Sequence, residues 1–146
     1  MDLEQIKSEL SNKTIEELAK IQEECMLTIR PCLVALTEKV EIDVSKSFFL
    51  FCMSCVGCDK VVSINEYNLI KHFIKVDVTQ NDVQQYVDEL LNTKALINFS
   101  KELVSLVRQV SNEGYEEIIK FAVCFLLSDE FNDDKQAFLE SIANIN

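Results

Sequence analysis

Two glycines and one proline in 146 residues leave this chain little material for tight turns or bulges. Sandwiches and barrels need such residues at their corners, so the scarcity selects a mostly helical fold. Apolar residues recur at helical spacing almost throughout. Leu3, Ile6 and Leu10 mark a short opening helix, and Thr14-x-x-Glu17 reads as a capping box for a second. Leu18, Ile21, Cys25 and Ile29 form the inner face of that helix. Pro31 is expected to kink or end it, with Leu33, Leu36 and Val40 continuing afterwards. Phe48 to Cys58 is apolar nearly all round, the mark of a central helix.

Ser63 opens another helix, with Tyr67, Ile70, Phe73 and Ile74 inward. Thr79 or Asn81 caps the next, whose stripe is Val83, Tyr86, Val87, Leu90 and Leu91. Leu96, Phe99, Leu103, Leu106 and Val110 mark a long helix, which Gly114 is expected to terminate. Ile118, Ile119, Ala122, Phe125 and Leu126 then define a second central helix, and Asp133 caps a last one ending near Ile145. No linker or low-complexity segment interrupts the pattern. The expectation is therefore an all-α fold: one compact domain over 1–146, a bundle of seven to eight helices. Residues 1–44 form its N-terminal helices.

Residues 45–76 and 115–146 share a faint internal echo at an offset of about 70. Phe51 falls on Phe121, Asp59 on Asp129 and Leu69 on Leu139. Hydrophobic character matches at Phe48/Ile118, Phe49/Ile119, Met53/Val123 and Val56/Leu126. Each half reads as an apolar helix, an aspartate at its end, a short loop and a capped helix. The expected architecture is a pseudo-twofold repeat.

Fourteen basic residues against twenty-five acidic ones give a net charge of −11. Such a surface repels phosphate backbones, so nucleic acid is not expected as a partner, whereas cations and basic protein surfaces are attracted. The opening MDLEQIKSEL lacks the basic end and apolar run of a signal peptide. The longest uncharged run, Ser47 to Cys58, spans twelve residues, against roughly 20 for a membrane helix. A cytoplasmic, non-membrane-spanning protein is expected, with its six cysteines as thiols.

Cys52, Cys55 and Cys58 have a spacing found in zinc and iron–sulfur sites. On an unbroken helix Cys52 and Cys58 are separated by roughly 9 Å of axial rise. Two sulfurs on one tetrahedral zinc lie within roughly 4 Å of each other. With Phe48, Phe49, Phe51, Met53 and Val56 around them, the cysteines read as core residues, and metal–sulfur ligation is disfavoured.

The aspartates pose a sharper question. Asp59 and Asp129 each end an apolar helix, where the macrodipole disfavours a negative side chain by roughly 0.3–1 kcal/mol. An Asx-turn that satisfies loop N–H groups is one compensation. A divalent cation at the negative end of the helix is another. Ser63-x-x-Glu66 and Asp133-x-x-Gln136 read as helix-start boxes in their own right. An EF-hand is rejected: counting from Asp129, Phe131 stands where an oxygen ligand is needed and Asp134 where glycine is needed.

The segment CDKVVSINEYNLI, with Asp59, Ser63 and Glu66, resembles the tellurite-resistance TerB-like family and its D-G-x-x-S-x-x-E loop. Lys60 stands at the glycine position. SDEFNDDKQAFL echoes the motif, with Asp129 kept, Glu130 at the glycine position and Gln136 in place of the glutamate. The resemblance covers roughly residues 45–146. It implies an all-helical pseudo-twofold domain whose acidic surface binds a divalent cation (calcium, manganese or magnesium) through Asp59, Glu66 and Asp129. It also implies a place in stress or tellurite resistance. The expected function is a non-enzymatic, metal-responsive acidic module. The alternative is a metal-independent helical module that binds a basic protein partner. His72, the single histidine, lacks the surrounding motif of a catalytic site and reads as a partly exposed helical residue.

Overall fold

A computed structural model describes residues 2–41, 43–72, 77–90 and 95–143. Among the described residues the fold is all-helical. The helices are α1 (Leu3–Leu10), α2 (Ile15–Lys39), α3 (Val44–Gly57), α4 (Ile64–Ile70), α5 (Gln80–Leu90), α6 (Ala95–Val110), α7 (Asn112–Leu126) and α8 (Asp133–Ala143). Every helix contributes to one continuous apolar core. Phe73, Ile74, Leu91 and Ile145, and the side chain of Leu96, lie outside the described residues.

Local chemistry sets the helix starts. Asp2 caps α1 by accepting from the Glu4 and Gln5 amides at 3.0 and 3.3 Å. Thr14 and Glu17 form the reciprocal box that opens α2. Of the two caps considered for α5, Thr79 is the one used: its hydroxyl accepts from Asp82 N at 3.1 Å, and the Asp82 carboxylate accepts in turn from Thr79 N. The last helix corrects the reading of Asp133. Asn132 is its cap, accepting from Lys135 N at 3.0 Å, and Asp133 is the first helical residue.

Pro31 and Gly114 each differ from a local expectation. Helix α2 runs through Pro31 without ending. The proline removes a backbone donor to the carbonyl four residues earlier, at Leu27. Leu27 is 75% exposed and Pro31 is also exposed, so this stretch of the helix lies on the solvent side. Gly114 does not stop a helix either. It lies in the first turn of α7, where its amide donates to the Ser111 hydroxyl at 3.1 Å. A Cβ at this position would collide with Cys32 Sγ. The residue is glycine because α2 and α7 cross closely there.

Helices α3 and α7 form the centre. Phe51, Met53, Cys55 and Val56 of α3, and Ile118, Ile119 and Phe121 to Leu126 of α7, are at most 1% exposed. Phe48 approaches Phe121 at 5.4 Å between ring centroids, and Phe121 meets Phe125 edge-on at 5.3 Å. Offset and edge-on ring pairs of this kind add roughly 0.5–1.5 kcal/mol beyond area burial. A side-chain amide also enters this interior. Gln22 of α2 is fully buried and donates from Nε2 to the Phe121 carbonyl at 3.1 Å. The two central helices end at the same side of the bundle, each followed by a short loop and a shorter helix.

Candidate functional site: the junction of two loops

The loop after α3 (58–63) with the start of α4, and the loop after α7 (127–132), meet through two side-chain contacts, and a third braces the second loop from within. Asn132 Nδ2 donates to Asp59 Oδ2 at 3.0 Å. Asn65 Nδ2 of α4 donates to the Ser128 carbonyl at 2.9 Å. Lys135 Nζ of α8 reaches back to the Glu130 carbonyl at 2.9 Å. Helix α5 secures the outer side: Gln84 accepts from Val62 N at 2.8 Å and donates to the Lys60 carbonyl, while Gln80 donates to the Val62 carbonyl.

Asp59 satisfies its own loop by accepting from Val61 N at 3.2 Å, an Asx-turn. Lys60 follows at φ 71°. That left-handed backbone favours glycine over residues that carry a Cβ. Glu130 at the corresponding place in the second loop is not among the left-handed residues.

Glu66 sits behind this turn. It is 1% exposed, accepts from Ser63 N at 3.1 Å and completes the capping box of α4. Its second oxygen, Oε2, is buried and accepts no hydrogen bond. Burial raises the Glu66 carboxyl to about 7, and the Asp59 charge adds to the rise. The Lys135 ammonium and the two bonds with Ser63 pull the other way. Lys135 is itself only 1% exposed, so a buried cation and a buried carboxylate act on each other at this junction.

The three acids expected to form a cation site are thus split. Asp59 and Glu66 share the junction and influence each other electrostatically. Asp129 is exposed and accepts from the next amide, Glu130 N, at 2.8 Å; the residue that meets Asp59 from the second loop is Asn132. Among the described residues no group of three histidine, cysteine, aspartate or glutamate side chains is placed to hold a metal ion. Cys52 and Cys55 are buried on α3, and Cys58, at its C-cap, directs its thiol to the Cys55 carbonyl. Burial pushes the Cys58 thiol up to about 12 and the Cys52 and Cys55 thiols higher. His72 is exposed in the turn after α4.

Sequence reasoning missed Asn132 and Lys135. Signals for both were present. Asparagine is among the best N-caps, and Asn132 stands before an acidic first turn. Lys135 falls on the stripe of Phe138, Leu139 and Ile142, where a charged residue contradicts the helical pattern and marks a buried polar role.

No family model matches the chain, and no match was found among curated proteins or among solved structures.

Proposed function

We propose that the protein is a metal-independent, non-enzymatic helical module whose two-loop junction receives a basic protein partner. The observation carrying this reading is the buried Lys135 amine. It supplies from within the chain the positive charge that Glu66 and Asp59 attract, and it repels a divalent cation from the same space. The rim of the junction fits a protein surface. Val61 and Ile64 are 63% and 54% exposed, and Asp129, Glu130, Asp133 and Asp134 are exposed on the facing loop and helix. Apolar contacts ringed by one sign of charge favour a partner of the opposite charge and speed its encounter.

The test has two arms. Calorimetry with calcium, manganese and magnesium is expected to give no binding heat. Capture of a basic protein from a native extract is expected to fail with Ile64→Asp, and with Asp133→Asn combined with Asp134→Asn. It should also fail at about 0.5 M salt, where surface charges are screened within a few ångströms, and should persist in chelator. Chelator-sensitive capture would overturn the reading.

One observation favours a second reading. Glu66 Oε2 is buried without a donor, and a divalent cation held by Glu66 and Asp59 would satisfy it. This is the metal-responsive module, linked to stress or tellurite resistance, that the TerB-like resemblance implies. Stoichiometric metal binding lost in Glu66→Gln would establish it over the first.

A further inference from the structure

Helix α1 is fastened differently from the rest of the bundle. Of its eight residues only Leu10 is buried, while Leu3 and Ile6 pack part-way against the core. It joins α2 through residues 11–13, where Asn12 holds φ 65°. Asparagine accepts that left-handed conformation more readily than most residues. An open cleft of about 240 Å³ runs between α1 and α7, lined by Asp2, Gln5, Ile6 and Glu9 on one side and by Glu116, Glu117 and Lys120 on the other. Four carboxylates therefore share the cleft with one ammonium.

Local bonds leave that imbalance in place. Asp2 is engaged as the α1 cap, Glu9 accepts from the Gln5 amide at 3.2 Å, and Glu117 has the Cys25 thiol for a neighbour. None of these partners carries a positive charge. On its other edge α1 is held by Lys7, which donates to Gln136 Oε1 at 3.0 Å and lies 4.5 Å from the centre of the Phe131 ring. Lys7 also pairs with Glu4 at 3.7 Å. One edge of the helix is latched and the other is pushed.

We propose that α1 is an electrostatically sprung strap. It hinges at Asn12, is held down by Leu10 and the Lys7 latch, and is biased open by Asp2 and Glu9 facing Glu116 and Glu117. Opening withdraws Lys7 from Phe131 and Gln136, and so frees the α7–α8 segment that forms half of the two-loop junction. The link to partner binding rests on the proposed function; the strap itself does not. Regions with few buried contacts open by local unfolding, without the rest of the molecule.

Amide hydrogen exchange on the full chain tests this, with urea unfolding of each variant run in parallel to measure global stability. The amides of Ile6 and Ser11, which donate to the Asp2 and Lys7 carbonyls, should exchange through openings about tenfold or more frequent than those of α7. Glu9→Gln combined with Glu116→Gln should slow α1 exchange about two- to fivefold at low salt, and the gain should shrink at about 0.5 M salt. Glu23→Gln combined with Glu24→Gln, which removes two exposed α2 charges outside the cleft, should give no such gain. The proposal is overturned if α1 exchanges only with global unfolding, or if the cleft variant and the α2 variant behave alike. Because no partner enters the experiment, its failure would leave the proposed function standing.

Discussion

A carboxylate and an ammonium buried within one small junction make pH the most direct probe of the site. Glu66 is protonated in both the folded and unfolded chains below its ordinary value of 4.5. Between 4.5 and about 7 the unfolded chain loses that proton while the folded chain keeps it. Unfolding therefore releases a proton across this window, and stability falls as pH rises through it. The contribution is on the order of 3 kcal/mol, flat below and above the window. Urea unfolding at a series of pH values should show this slope in the wild type and its loss in Glu66→Gln. Lys135→Met gives the complementary signature. At pH 5 it removes chiefly the bond to the Glu130 carbonyl, costing about 1 kcal/mol. At pH 8 it also strips an ionised, buried Glu66 of a neighbouring cation, and the loss should reach about 3 kcal/mol. Equal losses at the two values would show that Lys135 does not act on Glu66.

The elements read from the sequence where local chemistry was decisive and escaped it where tertiary packing was. Thr14 with Glu17, and Ser63 with Glu66, announced α2 and α4 because a cap and its return bond lie within four residues of chain. Gly114 was misread, and Pro31 does not end its helix, because a local rule does not see the surroundings. The proline's missing donor matters less on an exposed stretch of helix, and the glycine answers to Cys32 on another helix. The site was legible in the same proportion. Asp59 and Glu66 stood out as residues at helix ends, whereas Asn132 and Lys135 gain their meaning only when the second loop folds onto the first. Gly114→Ala tests the packing argument. Alanine favours a helix by up to about 1 kcal/mol, but overpacking against Cys32 costs about 1–3 kcal/mol. A net loss of stability is expected. Combining it with Cys32→Ala, which removes the obstructing sulfur, should recover most of that loss in a double-mutant cycle. Additive effects would mean that the two helices do not meet there.

At the scale of the whole molecule, the acidic exterior and the thiol-bearing interior are kept apart. Five of the six free cysteines are buried, and only Cys58 is partly accessible. Burial raises the thiols of Cys25, Cys52, Cys55 and Cys124, so little thiolate forms at neutral pH. An aromatic disulfide reagent at pH 8 should therefore label Cys58 first and slowly, and the five others only as fast as the protein unfolds, with all six released in urea. Rapid labelling of Cys52 or Cys124 in the native protein would contradict the described core. The lone amide inside that core has a different consequence. Helices α2 and α7 meet through apolar surfaces, and the close Gly114–Cys32 crossing already resists a slip of one turn, about 5.4 Å. Gln22, pinned to the Phe121 carbonyl, would also forfeit its acceptor in the slipped alignment at a penalty of about 1–3 kcal/mol. The amide thus acts as a vernier mark beside that coarser notch, selecting one alignment of two otherwise greasy cylinders.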